Sequence, residues 1–177
     1  MIRKQWPAFI LAFVLPLLAI YWWWGGFNSV AVNETESGPY YYAYLEHKGD
    51  LSKMPKTQAK VFALLEQAGI APGDTITVLL TDPRKTAKAE QRARTGYRIP
   101  TDAKLPNGLM SELIPRRKVV AAKVHAAAML APSKAYQALA DYLKPSGRDI
   151  TLPAVEIYHP SGTPARVGEL TVEIAAP

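Results

Sequence analysis

Hydrophobic and polar positions along this chain follow two regimes. From Trp6 to Trp24 no position is charged, and the run reads Trp-Pro-Ala-Phe-Ile-Leu-Ala-Phe-Val-Leu-Pro-Leu-Leu-Ala-Ile-Tyr-Trp-Trp-Trp. Its 19 positions would reach about 28 Å as a helix at about 1.5 Å per residue, close to the hydrocarbon thickness of a bilayer. Pro7 suits a first helical turn, and Pro16 predicts a kink of the kind membrane helices tolerate. Tyr21, Trp22, Trp23 and Trp24 would form an interfacial aromatic belt, after which Gly25 and Gly26 release the chain. Arg3 and Lys4 precede the run, whereas the first charges after it are Glu34 and Glu36. The positive-inside bias therefore predicts a single-pass inner-membrane protein with a cytoplasmic N-terminus and an outward-facing, periplasmic or extracytoplasmic domain. A cleaved signal peptide would have a shorter apolar core ending in a small-x-small site, which three tryptophans do not resemble. An uncleaved signal anchor is the expectation.

Beyond Val30 the pattern changes to short alternating runs and amphipathic stretches, arranged twice. The first half holds a β-prone Tyr40–His47, an amphipathic stretch over 56–68, Thr75–Pro83, and a run ending at Gly96–Pro100. The second holds Lys118–His125, Ser133–Lys144, Ala154–Pro160 and Glu169–Pro177. A shift of 77 positions brings Pro83 onto Pro160, Thr86 onto Thr163 and Pro100 onto Pro177. Val61, Leu64, Leu65 and Ala68 correspond to Tyr136, Leu139, Ala140 and Leu143, so each helix presents one apolar face at spacings of three and four. Ser133 is a candidate N-cap, and Gly69 and Gly147 are candidate stops. Each half reads as strand, helix, strand, strand. Neither can bury its apolar face alone. The predicted fold is α+β: tandem pseudo-symmetric βαββ repeats forming an antiparallel sheet with two helices on one face, preceded by one transmembrane helix. The expected divisions are a cytoplasmic segment 1–5, an anchor 6–26, a linker 27–37 and a domain 38–177, with half-repeats at about 38–100 and 114–177.

Composition narrows the chemistry. With 21 basic and 15 acidic residues among 177, and no cysteine, the chain is neither a disulfide scaffold nor a thiol enzyme nor an iron–sulfur protein. Subtracting Arg3 and Lys4 leaves 19 bases against the same 15 acids, a surplus of four with no strong nucleic-acid signature. Much of it falls in the segment Arg84–Arg98, which carries Arg84, Lys85, Lys88, Arg92, Arg94 and Arg98 against Glu90. Such a segment can touch anionic lipid headgroups, although a solvated hairpin is the simpler reading. His47, His125 and His159 lack the local spacing of metal ligands, and no phosphate-binding loop or nucleophile elbow is present. No cofactor or metal is implied.

The candidate site centres on Glu156. In Ala154-Val-Glu-Ile-Tyr the strand period of two separates Val155 and Ile157 from Glu156 and Tyr158. If Val155 and Ile157 pack on the helices, Glu156 and Tyr158 point to the open face of the sheet. Tyr40, Tyr42 and Tyr44 share one face of their strand and supply aromatic walls there, as does Tyr97. A carboxylate in such a cleft favours a cationic ligand. The expected ligand-binding residues are Glu156, Tyr158, Tyr42, Tyr44 and Tyr97.

Several features carry a resemblance to a known family: His47-Lys48-Gly49, Asp82-Pro83, Arg94-Thr-Gly96-Tyr97, Ile114-Pro115, and above all Val155-Glu156-Ile157-Tyr158 with Pro160. In that order and spacing the chain resembles the GyrI-like, or AraC-type, effector-binding domain, a pair of SHS2 modules, over about Tyr40–Pro177. The resemblance implies a cleft between the halves that takes amphipathic, often cationic, small molecules, with a glutamate at the place of Glu156. It departs from the family in carrying an apolar N-terminal run and no DNA-binding module. The primary expectation is a membrane-anchored small-molecule-binding domain. One alternative is a hydrolase acting on an electrophilic molecule through Glu156 and Tyr158, as the resemblance allows. Another is an envelope protein-interaction module.

Overall fold

The computed structural model describes residues 6–162 and 167–176, with side chains from Ile10 onward. Arg3, Lys4, Thr163 and Pro177, which served the topology and repeat arguments, lie outside the described residues. A helix α1 (Trp6–Trp23) is followed by β1 (Ala31–Ser37), β2 (Tyr40–Lys48), α2 (Met54–Gln67), β3 (Thr75–Leu79) and β4 (Arg92–Arg98). Then come β5 (Met110–Ile114), β6 (Arg117–His125), α3 (Ala131–Leu143), β7 (Ala154–His159) and β8 (Glu169–Ala175). The strands form an eight-stranded antiparallel sheet in the order β1-β6-β8-β7-β3-β4-β2-β5. The two halves join where β7 meets β3, with Tyr158 opposite Thr75 and Ala154 opposite Leu79.

Each half is the predicted βαββ unit, extended by an edge strand that the sequence pattern did not reveal. β5 pairs with β2 at one edge. At the other, β1 pairs with β6 and occupies residues expected as linker. Its sequence, Ala-Val-Asn-Glu-Thr-Glu-Ser, is polar because an edge strand exposed along most of its length has little to bury. Ser133 does not cap α3. That helix starts earlier, with Leu130 at the N-cap, and the Ser133 hydroxyl donates back to the Leu130 carbonyl at 2.9 Å.

Both helices lie on the same face. Ala135, Leu139 and Leu143 of α3 pack against Val120, Ala122, Leu170 and Val172, and the same layer continues through Ala154, Leu79 and Ala93. Val61 and Leu65 of α2 pack on Ala43 and Ile99. The opposite, open face carries a second apolar layer of Tyr42, Tyr44, Ile76, Val78, Val155 and Ile157. Close approach of β2 and β4 requires Gly96, because a Cβ there would sit 1.8 Å from the Ala43 carbonyl oxygen.

Among the described residues, no helix is long and apolar enough to cross a membrane. At 18 residues, α1 reaches about 27 Å, against a hydrocarbon core of about 30 Å. Its large side chains from Ile10 to Trp24 are nevertheless exposed. The basic segment also differs from expectation. Arg84 pairs with Asp82 at 2.9 Å, Lys85 with Asp149 at 3.0 Å and Lys88 with Asp50 at 3.5 Å. Arg92 lies 3.6 Å from Glu46, Arg94 2.8 Å from Glu112 and Arg98 3.3 Å from Asp74. Most of the acids are distant in sequence, so local counting overstated the free positive charge, and headgroup contact through this segment has no structural support.

Candidate ligand-binding site

Glu156 sits in the middle of β7, opposite Thr77 of β3 and Val172 of β8. The strand alternation is as read from the sequence, but the faces are exchanged. Val155 and Ile157 join the tyrosine layer on the open face, while Glu156 and Tyr158 point towards the helices. Apolarity did not decide the question because both faces of this sheet are apolar.

On the helix face Glu156 lies beneath α3. The Tyr136 hydroxyl donates to its Oε1 at 2.8 Å. Burial pushes the Glu156 carboxyl above the usual carboxylate range, and the Tyr136 bond opposes that rise in part. Burial also pushes the Tyr136 hydroxyl up, reinforced by the charge of Glu156. No cation offsets the desolvation of this carboxylate among the described residues. A buried carboxylate with one neutral partner is costly.

The same Tyr136 forms a wall of a cavity of about 190 Å³, with Leu79, Pro83, Ile150 and Leu152 as apolar lining and Asp82 and Arg84 completing it. Asp82 and Arg84 form a two-point ion pair, with Arg84 Nε 3.1 Å from Oδ1 and Nη2 2.9 Å from Oδ2. Hydrogen bonding to Arg84 holds the Asp82 carboxyl below its ordinary range. One tyrosine therefore separates an apolar cavity from a part-buried carboxylate.

The other expected residues are dispersed. Tyr158 shares the face of Glu156 and packs against the α3 layer, yet the hydroxyl on Glu156 belongs to Tyr136. Tyr42 and Tyr44 stack on the open face with ring centroids 5.1 Å apart. The Tyr42 hydroxyl donates to Glu112 at 2.9 Å, and Arg94 lies 5.3 Å above the Tyr44 ring. Tyr97 is on the helix face but under α2, edge-on to Phe62 at 5.7 Å. These rings do not converge on Glu156.

The open face has its own hollow of about 460 Å³, whose lining includes Asn33, Tyr40, Arg98, Ile157, His159 and Glu173. Glu173 is only 2% exposed but fully partnered: Tyr40 donates at 2.8 Å, Arg117 at 2.9 Å, and Ser37 also donates. Sequence reasoning missed Tyr136, which occupies an apolar-stripe position corresponding to Val61. A tyrosine inside such a stripe needs a partner for its hydroxyl, and that was the available signal.

The sequence pattern described as "GyrI-like small molecule binding domain" matches residues 31–177. No curated protein matches significantly. The fold is similar to the crystal structure of the EcmrR C-terminal domain, with a TM-score of 0.64 and 13% identity over 82% of this chain and 96% of that one. EcmrR in a cryo-EM complex with DNA gives a TM-score of 0.63 at 13% identity, covering 98% of this chain and 68% of that one. A hydrolase from Listeria innocua gives 0.53 at 8% identity, covering 81% and 90%. At these identities the likeness is one of fold.

Proposed function

The chain belongs to the GyrI-like small-molecule-binding family, and from that premise we propose that it binds a small amphipathic cation between α3 and the sheet, with Glu156 as the counter-charge. The observation that carries this reading is the Tyr136 hydroxyl standing between an apolar cavity and the part-buried Glu156 carboxylate, which meets no cation among the described residues. If Tyr136 turns aside, the cavity and the carboxylate become one site. An apolar cavity of about 150 Å³ accommodates one benzene ring, so 190 Å³ suits a one-ring or short-chain amine. Apolar burial then supplies affinity, and charge pairing selects the cation. Among the residues expected from the sequence, Glu156 binds directly and Tyr158 supports the layer beneath α3. Tyr42, Tyr44 and Tyr97 would shape the scaffold and make no contact with this ligand.

Calorimetry with benzyltrimethylammonium and with neutral benzyl alcohol tests the assignment. The cation should bind more tightly, and Glu156→Gln should weaken it by about tenfold or more, since 1.4 kcal/mol corresponds to a factor of ten, while leaving the alcohol unchanged. Equal binding of the cation by the variant would end this reading.

We also propose that α1, about 3 Å short of the hydrocarbon thickness, is nonetheless buried in a lipid bilayer that thins to meet it, N-terminus inside and domain outside. Its support is the exposure of Ile10, Leu11, Phe13, Leu15, Leu18, Ile20 and Trp23, which together reach every side of the helix. A periplasmic reporter fused after residue 177 should be active, and a cytoplasmic one inactive; the reverse result would invert the orientation.

A further inference from the structure

The junction between α1 and the domain is a fitted joint. The Ala127 amide donates to the Trp24 carbonyl at 2.9 Å, and the Asn28 side-chain amide donates to the His125 carbonyl at 2.6 Å. From the first turn of α3, the Lys134 ammonium donates to the Gly26 carbonyl. Gly25 has φ +75°, and a Cβ there would sit 2.5 Å from the His125 carbonyl oxygen, so the chain turns off α1 in direct contact with the end of β6. The segment that receives α1, from the end of β6 into the first turn of α3, runs Ala126-Ala-Ala-Met-Leu-Ala-Pro132 without a charge. Met129, at its tip, is 75% exposed, and Phe27 beside the joint is 63% exposed.

From this joint we infer that the domain rests against a lipid surface, with Met129 entering the bilayer interface as a second apolar contact beside Trp24 and Phe27. The inference rests on the reading that α1 is buried in lipid. A helix apolar on all sides is satisfied by lipid all round, whereas a single groove on another protein would cover one side. Because Trp24 is hydrogen-bonded to Ala127, an interfacial tryptophan belt brings the 126–132 loop to the same level. Lys134 and His125 lie at that level too, with polar groups suited to headgroups and water.

The fitted joint also fixes where the proposed ligand pocket faces. His125, Glu169 and His159 stand in register across β6, β8 and β7 at the α1 end of the sheet. Leu152 and Leu79, which line the pocket, lie at the opposite end, beside Ala154. The two ends are Ala154 and His159 of β7, five steps or about 17 Å apart at about 3.3 Å per residue. The pocket therefore samples molecules in water, held clear of the membrane.

The sequence makes the test direct. All four tryptophans are Trp6, Trp22, Trp23 and Trp24, so intrinsic tryptophan emission reports α1 and the residue that follows it, and with no native cysteine a single introduced one is unique. Met129→Cys and, at the exposed far end of α3, Lys144→Cys are each labelled with an environment-sensitive nitrobenzoxadiazole dye in the full chain. Each is then mixed with phosphatidylcholine–phosphatidylglycerol vesicles. The expected result is a blue shift of tryptophan emission in both, with a several-fold rise of dye emission at 129 and little change at 144. A tryptophan shift with the dye at 129 still in water would overturn the resting contact and leave the lipid-buried α1 intact. Absence of any tryptophan shift, with self-association of α1 in size-exclusion chromatography, would remove both and make a second copy the occupant.

Discussion

Removing the Tyr136 hydroxyl is the most informative single change. Tyr136→Phe keeps the ring that walls the cavity and deletes the 2.8 Å bond to Glu156. Glu156 has a folded pKa above its ordinary 4.5 because of burial. Its contribution is therefore fully present below about pH 4.5, where the acid is neutral in both states, and is lost as pH rises through the folded pKa. The Tyr136 bond lowers that pKa, so the variant must lose more stability than the parent over the same rise. In acid the lost bond is neutral to neutral, about 0.5–1.5 kcal/mol. Above the transition it is a bond to a buried carboxylate, about 1.5–3 kcal/mol. Urea titrations in mild detergent at closely spaced pH values read the difference directly, and the pH at which it steps reports the folded pKa. In a Glu156→Gln background the step should vanish and the neutral value remain at every pH. A penalty that does not change with pH in the parent background would show that Glu156 is not ionised beneath Tyr136, and the counter-charge argument would fail with it.

Other substitutions probe the frame that holds this pair. Leu139→Ala, on the fully buried sheet-facing side of α3, should cost about 2–5 kcal/mol, measured by urea midpoint, and the loosened α3 should weaken cation binding. Arg117→Ala takes the ion-pair partner from the 2% exposed Glu173 and should cost about 3–5 kcal/mol at neutral pH, read by urea midpoint. Gly96→Ala must place its methyl 1.8 Å from the Ala43 carbonyl oxygen, so the β2–β4 pairing has to shift. Amide exchange along β2 should accelerate, with a loss of about 1–3 kcal/mol or more.

Regular elements were legible because their periods are local. The β2, β3, β6, β7 and β8 runs and both amphipathic helices follow from alternation and from spacings of three and four. The two edge strands were not legible. Ala31–Ser37 buries too little to show a pattern, and Met110–Ile114 is mostly exposed as well. The inside-outside assignment of β7 failed for a different reason. A period of two separates Glu156 from Val155 and Ile157 but does not say which set faces the helices. Here both sets meet apolar layers, one containing Tyr42 and Tyr44 and the other containing Leu139 and Val172. The basic surplus over Arg84–Arg98 misled in the same way, because the partners Asp149, Asp50, Glu46, Glu112 and Asp74 are brought by folding.

Two carboxylates of the sheet, Glu173 buried and Glu156 part-buried, show why the site is placed at one and not the other. Glu173 and Glu156 lie on adjacent strands with opposite faces, Glu173 beside Val155 and Glu156 beside Val172. Glu173 faces the larger hollow, yet its oxygens are taken by Ser37, Tyr40 and Arg117, and its charge is neutralised. A cation entering there would have to displace Arg117, losing about what it gains. Glu156 lies behind Tyr136, which walls the smaller cavity, and among the described residues its carboxylate is met by that tyrosine hydroxyl and no cation. A cation reaching it replaces a neutral donor with a charge, which in a poorly solvated site is worth more than at the surface. Between these two hollows size would select the open face, and electrostatics selects the helix face. A pair of binding titrations decides between them: Glu173→Gln should leave benzyltrimethylammonium affinity within about twofold once stability is matched, whereas Glu156→Gln should lower it about tenfold or more. The opposite ranking would move the site to the open face.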